Sequence, residues 1–265
     1  AEFGNPCWHY HCTGPAIEEA FNGLQGKGLR LAGYVSATGS AGTIAAGDYL
    51  RVKFPQVRVA ASEALQCPTL LQNGFGEHRI EGIGDKHIPW VHNVRNTDMV
   101  VAVDDEDCMR LLRLFNEPAG LKALAAEGVS KAELESLSLL GISGIANTLA
   151  AVKLAKYYEL GPKDVVFTIF TDSLELYRSR LAELERQYGK YQAVQAGCDL
   201  DRRLRGAATD NMRELSYRDR KALHNLKYFT WVEQQGKSSD DLRRLWDPEF
   251  WDRTFAQAEA SDKLI

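Results

Sequence analysis

No apolar run in this chain approaches the roughly 20 residues that a helix needs to cross a bilayer. Residues 1–6 (Ala-Glu-Phe-Gly-Asn-Pro) carry neither the basic start nor the apolar core of a secretory signal. The expectation is a soluble, cytoplasmic protein without a membrane partner. Positive charge is not in excess either: 32 Lys and Arg stand against 36 Asp and Glu, a formal net charge of -4. With nothing in that balance to offset a phosphate backbone, nucleic acid is not expected as a partner. There is no C-x-x-C pair, and the five cysteines (Cys7, Cys12, Cys67, Cys108 and Cys198) are odd in number, which speaks against a disulfide framework and for a reducing compartment. Internal repeats and low-complexity stretches are missing too. What is present is an ordinary globular composition, 265 residues at 45% hydrophobic and 26% charged, enough for one large domain or two small ones.

The pattern of apolar runs and small-residue turns is α/β. Residues 31–36 form a short apolar run, followed by Ala37-Thr38-Gly39-Ser40-Ala41-Gly42-Thr43, a helical stretch at 44–52 and a second strand at 57–62. Strand, glycine turn, helix and strand make a βαβ unit, whose parallel strands are normally covered on both faces. A third strand is expected at 98–103, followed by Asp104-Asp105-Glu106 at a helix start, where acids oppose the helix dipole. That helix sets Cys108, Leu111, Leu112 and Phe115 on one face. A helix at about 145–158, a buried strand at 165–170 and a helix capped by Thr171-Asp172-Ser173 complete the set. Residues 186–265 differ. Their 28 charged residues, 15 basic and 13 acidic, interleave without forming a patch, no convincing strand is visible, and three of the five tryptophans (Trp231, Trp246, Trp251) lie there. They read as a helical, solvated extension or wrapping tail with one face packed on something.

Gly39-Ser40-Ala41-Gly42-Thr43 is the most informative segment. Small residues let backbone approach a ligand closely, successive N–H groups can converge on an anion, and the following helix start favours negative charge. The segment lacks the P-loop lysine and does not fit G-x-G-x-x-G. Glu63, some 20 residues on, stands where a dinucleotide fold places its ribose-binding acid, which keeps a nucleotide- or anion-binding regulatory module open as an alternative. A plain βα turn is open as well. Gly141-Ile142-Ser143-Gly144-Ile145-Ala146-Asn147 reads locally as a helix start with Ser143 as N-cap, and Glu81-Gly82-Ile83-Gly84-Asp85-Lys86-His87-Ile88-Pro89 as a surface turn. Cys7, His9, His11 and Cys12 match no standard zinc spacing, and residues 104–107 read as an acidic helix start, so no metal is expected.

Taken in order, these segments resemble the fold-type II pyridoxal-phosphate enzymes typified by cysteine synthase and cystathionine β-synthase, from about Phe3 to Leu181. Phe3-Gly4-Asn5-Pro6, His9 and Thr13-Gly14-Pro15 look like the family's F-x-N-P…H-x-x-x-T-G-P stretch. Residues 39–43 are similar to its G-T-G-G-T phosphate loop, with Ser40 for Thr and Ala41 for Gly. Glu81 to Gly84 with Ile88-Pro89 matches its Q-G-I-G…I-P loop, Gly141-Ile142-Ser143 its G-I-S-S-G, and Thr171-Asp172-Ser173…Tyr177 its D-S-x-x-R-Y segment.

The resemblance implies a tryptophan synthase β-like (fold-type II) large-domain portion at residues 1–185, followed by the mostly helical extension at 186–265. It implies pyridoxal 5'-phosphate as cofactor, with Gly39, Ser40, Ala41, Gly42 and Thr43 on the phosphate, Ser143 on the pyridine nitrogen, and Gly82, Ile83 and Gly84 beside the substrate. A neutral hydroxyl on that nitrogen suits β-elimination or β-replacement on a small amino acid of the serine, cysteine or O-acylserine type. The family's Schiff-base lysine and its S-G-N-T-G loop lie upstream of the N-P…T-G-P stretch, so no catalytic residue is assigned in this chain, and Lys86 is not in the family's position. The expectation is a C-terminal portion, inactive alone, completed by a lysine-bearing N-terminal half or second polypeptide in a homodimer or higher assembly.

Overall fold

The computed structural model describes residues 2–24 and 26–262. Four of the apolar runs become parallel strands: β1 at Arg30–Ala37, β2 at Arg58–Ala64, β3 at Met99–Val103 and β4 at Asp164–Thr168. Their order in the sheet is β4-β1-β2-β3, with Val35 opposite Ala60 and Thr168. β1 and β2 are buried along almost their whole length because helices cover both faces. On one face, Asp105–Asn116 and Ile142–Tyr157 pack Cys108, Leu111, Leu112 and Ile145 against Val35 and Val101. On the other, Gly14–Gly23 and Ala46–Lys53 pack Ile17 and Leu50 against Tyr34 and Val59. The face of Cys108, Leu111, Leu112 and Phe115 expected from spacing is fully inside.

Several boundaries move for local reasons. The helix expected at 44–52 opens with a tight turn, Thr43–Ala45, before the α-helix Ala46–Lys53. The helix expected at 145–158 starts three residues earlier at Ile142, with Gly141 as its N-cap and no side-chain cap; Ser143 is therefore inside the first turn and is not the cap. Ser173 likewise gives no side-chain cap: a short turn, Leu174–Tyr177, comes before the helix Arg178–Tyr188.

The region beyond residue 185 contains a strand that its polar composition hides. β5, Met212–Glu214, pairs antiparallel with β3 and closes that edge of the sheet. The rest is helical and packs tightly. In the helix Tyr217–Lys227, Arg220 donates to Asp98 at 2.8 Å, while Lys227, only 1% exposed, donates to the carbonyls of Trp90 and His92 at 3.0 and 2.6 Å. Trp231 Nε1 donates to Ile88 O at 2.8 Å, and Trp251 is buried with Cys7, Trp90 and Phe255. The apolar face expected of the tail is therefore turned onto the sheet unit.

Candidate functional site

The chain runs from β1 through β2 to β3 on one side, then crosses back to place β4 on the other side of β1. β1 and β4 thus flank the point where the strand order reverses, and the loops leaving their carboxyl ends diverge to leave a crevice, the usual ligand position in an open parallel sheet. A cavity of about 140 Å³ lies there. Seven residues singled out in the sequence line it: Gly39, Ser40, Ala41, Thr43, Gly82, Ile83 and Ser143. Gly42 and Gly84 support it from behind. A Cβ on Gly42 would lie 2.2 Å from Asn5 Oδ1, and the Gly84 N–H donates to Thr38 O at 2.8 Å.

The loop is held by its own hydroxyls and by the sheet. Thr43 Oγ1 is 2.8 Å from Ser36 Oγ, the Tyr34 hydroxyl donates to Thr43 O at 2.7 Å, and Asn5 Nδ2 donates to Ser40 Oγ at 3.0 Å. Ala41 sits at φ 60°, a left-handed conformation that suits glycine better, and its methyl is buried. Opposite stands the start of Ile142–Tyr157, where unpaired N–H groups favour an anion. Gly141 has no room for a side chain there, since a Cβ would meet Asp172 Oδ1 at 1.7 Å. Ser143 Oγ is 3.3 Å from Thr171 Oγ1.

Three wall residues were not assigned from the sequence. His9 donates or accepts at Thr13 Oγ1, 2.8 Å away, and burial pulls its pKa below the ordinary imidazole value, so it is neutral at pH 7. Asn147 donates to Ile169 O at 2.9 Å, which leaves its Oδ1 buried at the cavity wall without a hydrogen-bond partner. Thr171 is the third. Asn147 follows Ser143 by one helical turn, and that spacing was the signal available. Among the described residues, no lysine, arginine or carboxylate lines this cavity.

Other candidates are engaged elsewhere. The Glu63 carboxylate accepts from the Leu70 and Leu71 N–H groups, both at 2.8 Å, and burial raises its pKa to about 7 against those bonds. Fixed this way, it is not offered to a ribose. The acids at 104–107 cap and pair: Asp104 accepts from Glu106 N at 2.9 Å, Asp105 and Glu106 take Arg79 at 2.8 and 2.7 Å, and Asp107 takes Arg203 at 2.5 Å. His11 bonds Phe255 O at 2.9 Å, and Lys86 is exposed on its turn. Among the described residues no group of three or more His, Cys, Asp or Glu could hold a metal ion.

A mostly parallel sheet with a small-residue loop after β1 and a crevice at its switch point is the fold of the cysteine synthase-type, fold-type II pyridoxal-phosphate enzymes. O-acetylserine sulfhydrylase isoform 3 of Entamoeba histolytica matches 76% of this chain and 51% of its own with a TM-score of 0.56 at 26% identity. A hydrogen sulfide-producing enzyme of Fusobacterium nucleatum matches 75% and 52% with a TM-score of 0.55 at 27% identity.

The relatives in sequence are cysteine synthases. Cysteine synthase B of Campylobacter jejuni is 32% identical over 147 residues, 55% of this chain and 42% of that protein. The O-acetylserine-dependent cystathionine β-synthase of Bacillus subtilis is 29% identical over 178 residues, 66% and 49%. The chain thus spans about half the length of the curated relatives it matches. No protein-family model matches it. These relatives are pyridoxal-phosphate enzymes, and the crevice fits that group on two counts. Gly39 keeps open the gap between the two loops, where a Cβ would stand 3.7 Å from Gly82 O and 3.8 Å from Ile83 Cα. Among the described residues, the wall offers small-residue backbone and the neutral Ser40, Thr43 and Ser143 hydroxyls, with no carboxylate to repel a phosphate.

Proposed function

We propose that this chain is the C-terminal, cofactor-phosphate-binding part of a pyridoxal-phosphate-dependent lyase or synthase. It acts by β-elimination or β-replacement on a small amino acid of the serine, cysteine or O-acylserine type, in the cytoplasm, as a homodimer or higher assembly. The observation that carries this reading is the convergence of the 39–43 loop, Gly82-Ile83 and Ser143 on one crevice at the switch point. Backbone N–H groups of the loop, with the Ser40 and Thr43 hydroxyls, hold the phosphate. The Ser143 hydroxyl meets the pyridine nitrogen, and because it is neutral it leaves that nitrogen unprotonated. Gly82 and Ile83 border the substrate.

When bound, pyridoxal phosphate supplies an electron sink for carbanion chemistry at the substrate α-carbon. The chain's own residues bind and orient, and the absence of a carboxylate or lysine from the wall leaves proton transfer to a lysine-bearing segment or second polypeptide. The test is equilibrium dialysis of the complete protein against pyridoxal phosphate, with Gly42→Asp as the variant. The aspartate would collide with Asn5, whose amide holds Ser40 of the loop, and would add a negative charge to the loop, so affinity should fall by ~100-fold or more. Undiminished binding by Gly42→Asp, or saturable nucleotide binding in place of pyridoxal phosphate, would overturn the reading.

A further inference from the structure

A second cavity of about 370 Å³ opens beside the first and shares Ser40 with it. That size lies within the range of small-ligand sites. The walls of the two cavities differ in kind. The indoles of Trp90 and Trp231 stand with ring centroids 6.1 Å apart, tilted by 52°, and the His87 ring sits edge-on to Trp231 at 5.3 Å. The carboxylates of Asp85 and Glu2 complete the lining, with Asp85 3.3 Å from the His87 ring. Asp85 is fixed from behind, where its carbonyl accepts from Thr69 Oγ1 at 2.5 Å. No lysine or arginine is among the described residues of the wall.

Two carboxylates and the negative faces of two indoles repel an anion and attract a cation. The Lys237 ammonium already lies over the buried Trp90 ring at 5.8 Å, which leaves the chamber's own cation contacts to Asp85, Glu2 and the Trp231 indole. Apolar surface from Pro89 and Val91 adds room for a hydrocarbon stem.

We propose that this chamber binds a second substrate that carries a primary ammonium on a short apolar stem, its charge held by Asp85 and by the Trp231 indole. The role as second substrate rests on the reading of the neighbouring crevice as the pyridoxal-phosphate site, which the chamber meets at Ser40. It also gives the extension a purpose. Trp231 forms one wall, and the bonds from Lys227 and Trp231 to the carbonyls of Trp90, His92 and Ile88 hold the opposite one.

The experiment titrates the complete protein, its cofactor first reduced in place with borohydride so that an amine cannot condense with the aldehyde, with n-butylammonium, n-butanol and butyrate, followed by calorimetry and tryptophan fluorescence. Butylammonium should bind saturably and about tenfold or more tighter than butanol, and butyrate should not bind. Asp85→Asn and Trp231→Leu should each weaken the ammonium by about tenfold, with Asp85→Asn decisive should Trp231→Leu fail to fold. Equal binding of butylammonium and butanol, or an Asp85→Asn variant with unchanged affinity, overturns the proposal. Cofactor absorbance read in the same samples separates the two readings. Retained cofactor without ammonium preference sinks the chamber alone, whereas ammonium binding with no cofactor uptake sinks the crevice reading and the second-substrate role with it.

Discussion

The two neighbouring cavities are built on opposite principles. The crevice at the switch point is built largely from small residues, with the 37–43 loop leaving β1 and residues 169 and 171 leaving β4, so much of its shape comes with the sheet. The chamber next to it is made chiefly of side chains from Asp85 to Val91 and of Glu2, closed by Trp231 more than a hundred residues later. A backbone-built site can be changed only by altering glycines and turn residues. A side-chain-built site can be retuned residue by residue, but it depends on everything that holds those side chains in place.

Acid should separate the two most strongly. Burial, helped by the Lys227 charge, pulls His92 down to about 3, and burial also brings His224 to about 4, from an ordinary 6.5. Both are therefore neutral in the folded protein at pH 5, while the unfolded chain binds the protons. Their contribution to stability falls as pH drops below about 6.5 and is lost progressively down to about 3, while the buried carboxyls of Glu63 and Asp48, both raised to about 7, contribute in the opposite direction below pH 7. The unfolding free energy of the natural protein minus that of a His92→Gln, His224→Gln variant, read from urea denaturation, should shrink from pH 7 through 5.5 to 4.5 by an amount on the order of a few kcal/mol. The fluorescence of the extension's tryptophans should change first. A difference that stays level or grows on acidification would contradict the buried, neutral state of both imidazoles.

Next in size is Lys227→Met. It takes the donors from Trp90 O and His92 O, at a cost of about 1–2 kcal/mol at pH 7 after the relief of burying no charge. Burial holds the Lys227 amine near 7, below its ordinary 10.5. Between those values the unfolded chain holds more protons, so stability rises with pH in the natural protein. Denaturation at pH 7 and 9.5 should show that rise in the natural protein and its absence in the variant. The same rise in both would assign it to another group.

The smallest effect is expected on the backbone-built side. Ala41→Gly relieves a left-handed alanine, and after the extra freedom of the unfolded glycine is subtracted, thermal stability should improve by up to about 1 kcal/mol. A destabilised Ala41→Gly would mean that packing of the buried methyl outweighs the strain.

The same contrast explains what was legible in the sequence. The four parallel strands are apolar runs between turn residues and were legible from pattern, whereas residues 39–43, 82–84 and 143 could be assigned to one site before any coordinates only through their resemblance, in order, to the motifs of the cysteine synthase-type enzymes. β5 could not be seen, because Met212–Glu214 is three residues of an edge strand whose pairing is set by β3 and whose side chains carry no alternation. Read locally, Ser143 looks like an N-cap, because spacing alone does not reveal that Gly141 already occupies that place. Nor does any local pattern link Trp231 to Ile88 or Lys227 to Trp90. Contacts between distant segments leave a trace only as unexplained aromatics and a charge that turns out to be buried.

The pairing of β5 on β3 also sets a clock. During synthesis the strands β1 to β4 can assemble once residue 168 has emerged, but the outer edge of β3 keeps its row of free N–H and C=O groups until Met212–Glu214 arrives. Such an edge is a template for a foreign strand. The nascent chain is thus exposed to mispairing for the length of some forty residues of translation, and the segment that ends this interval belongs to the same extension that closes the chamber around Trp231.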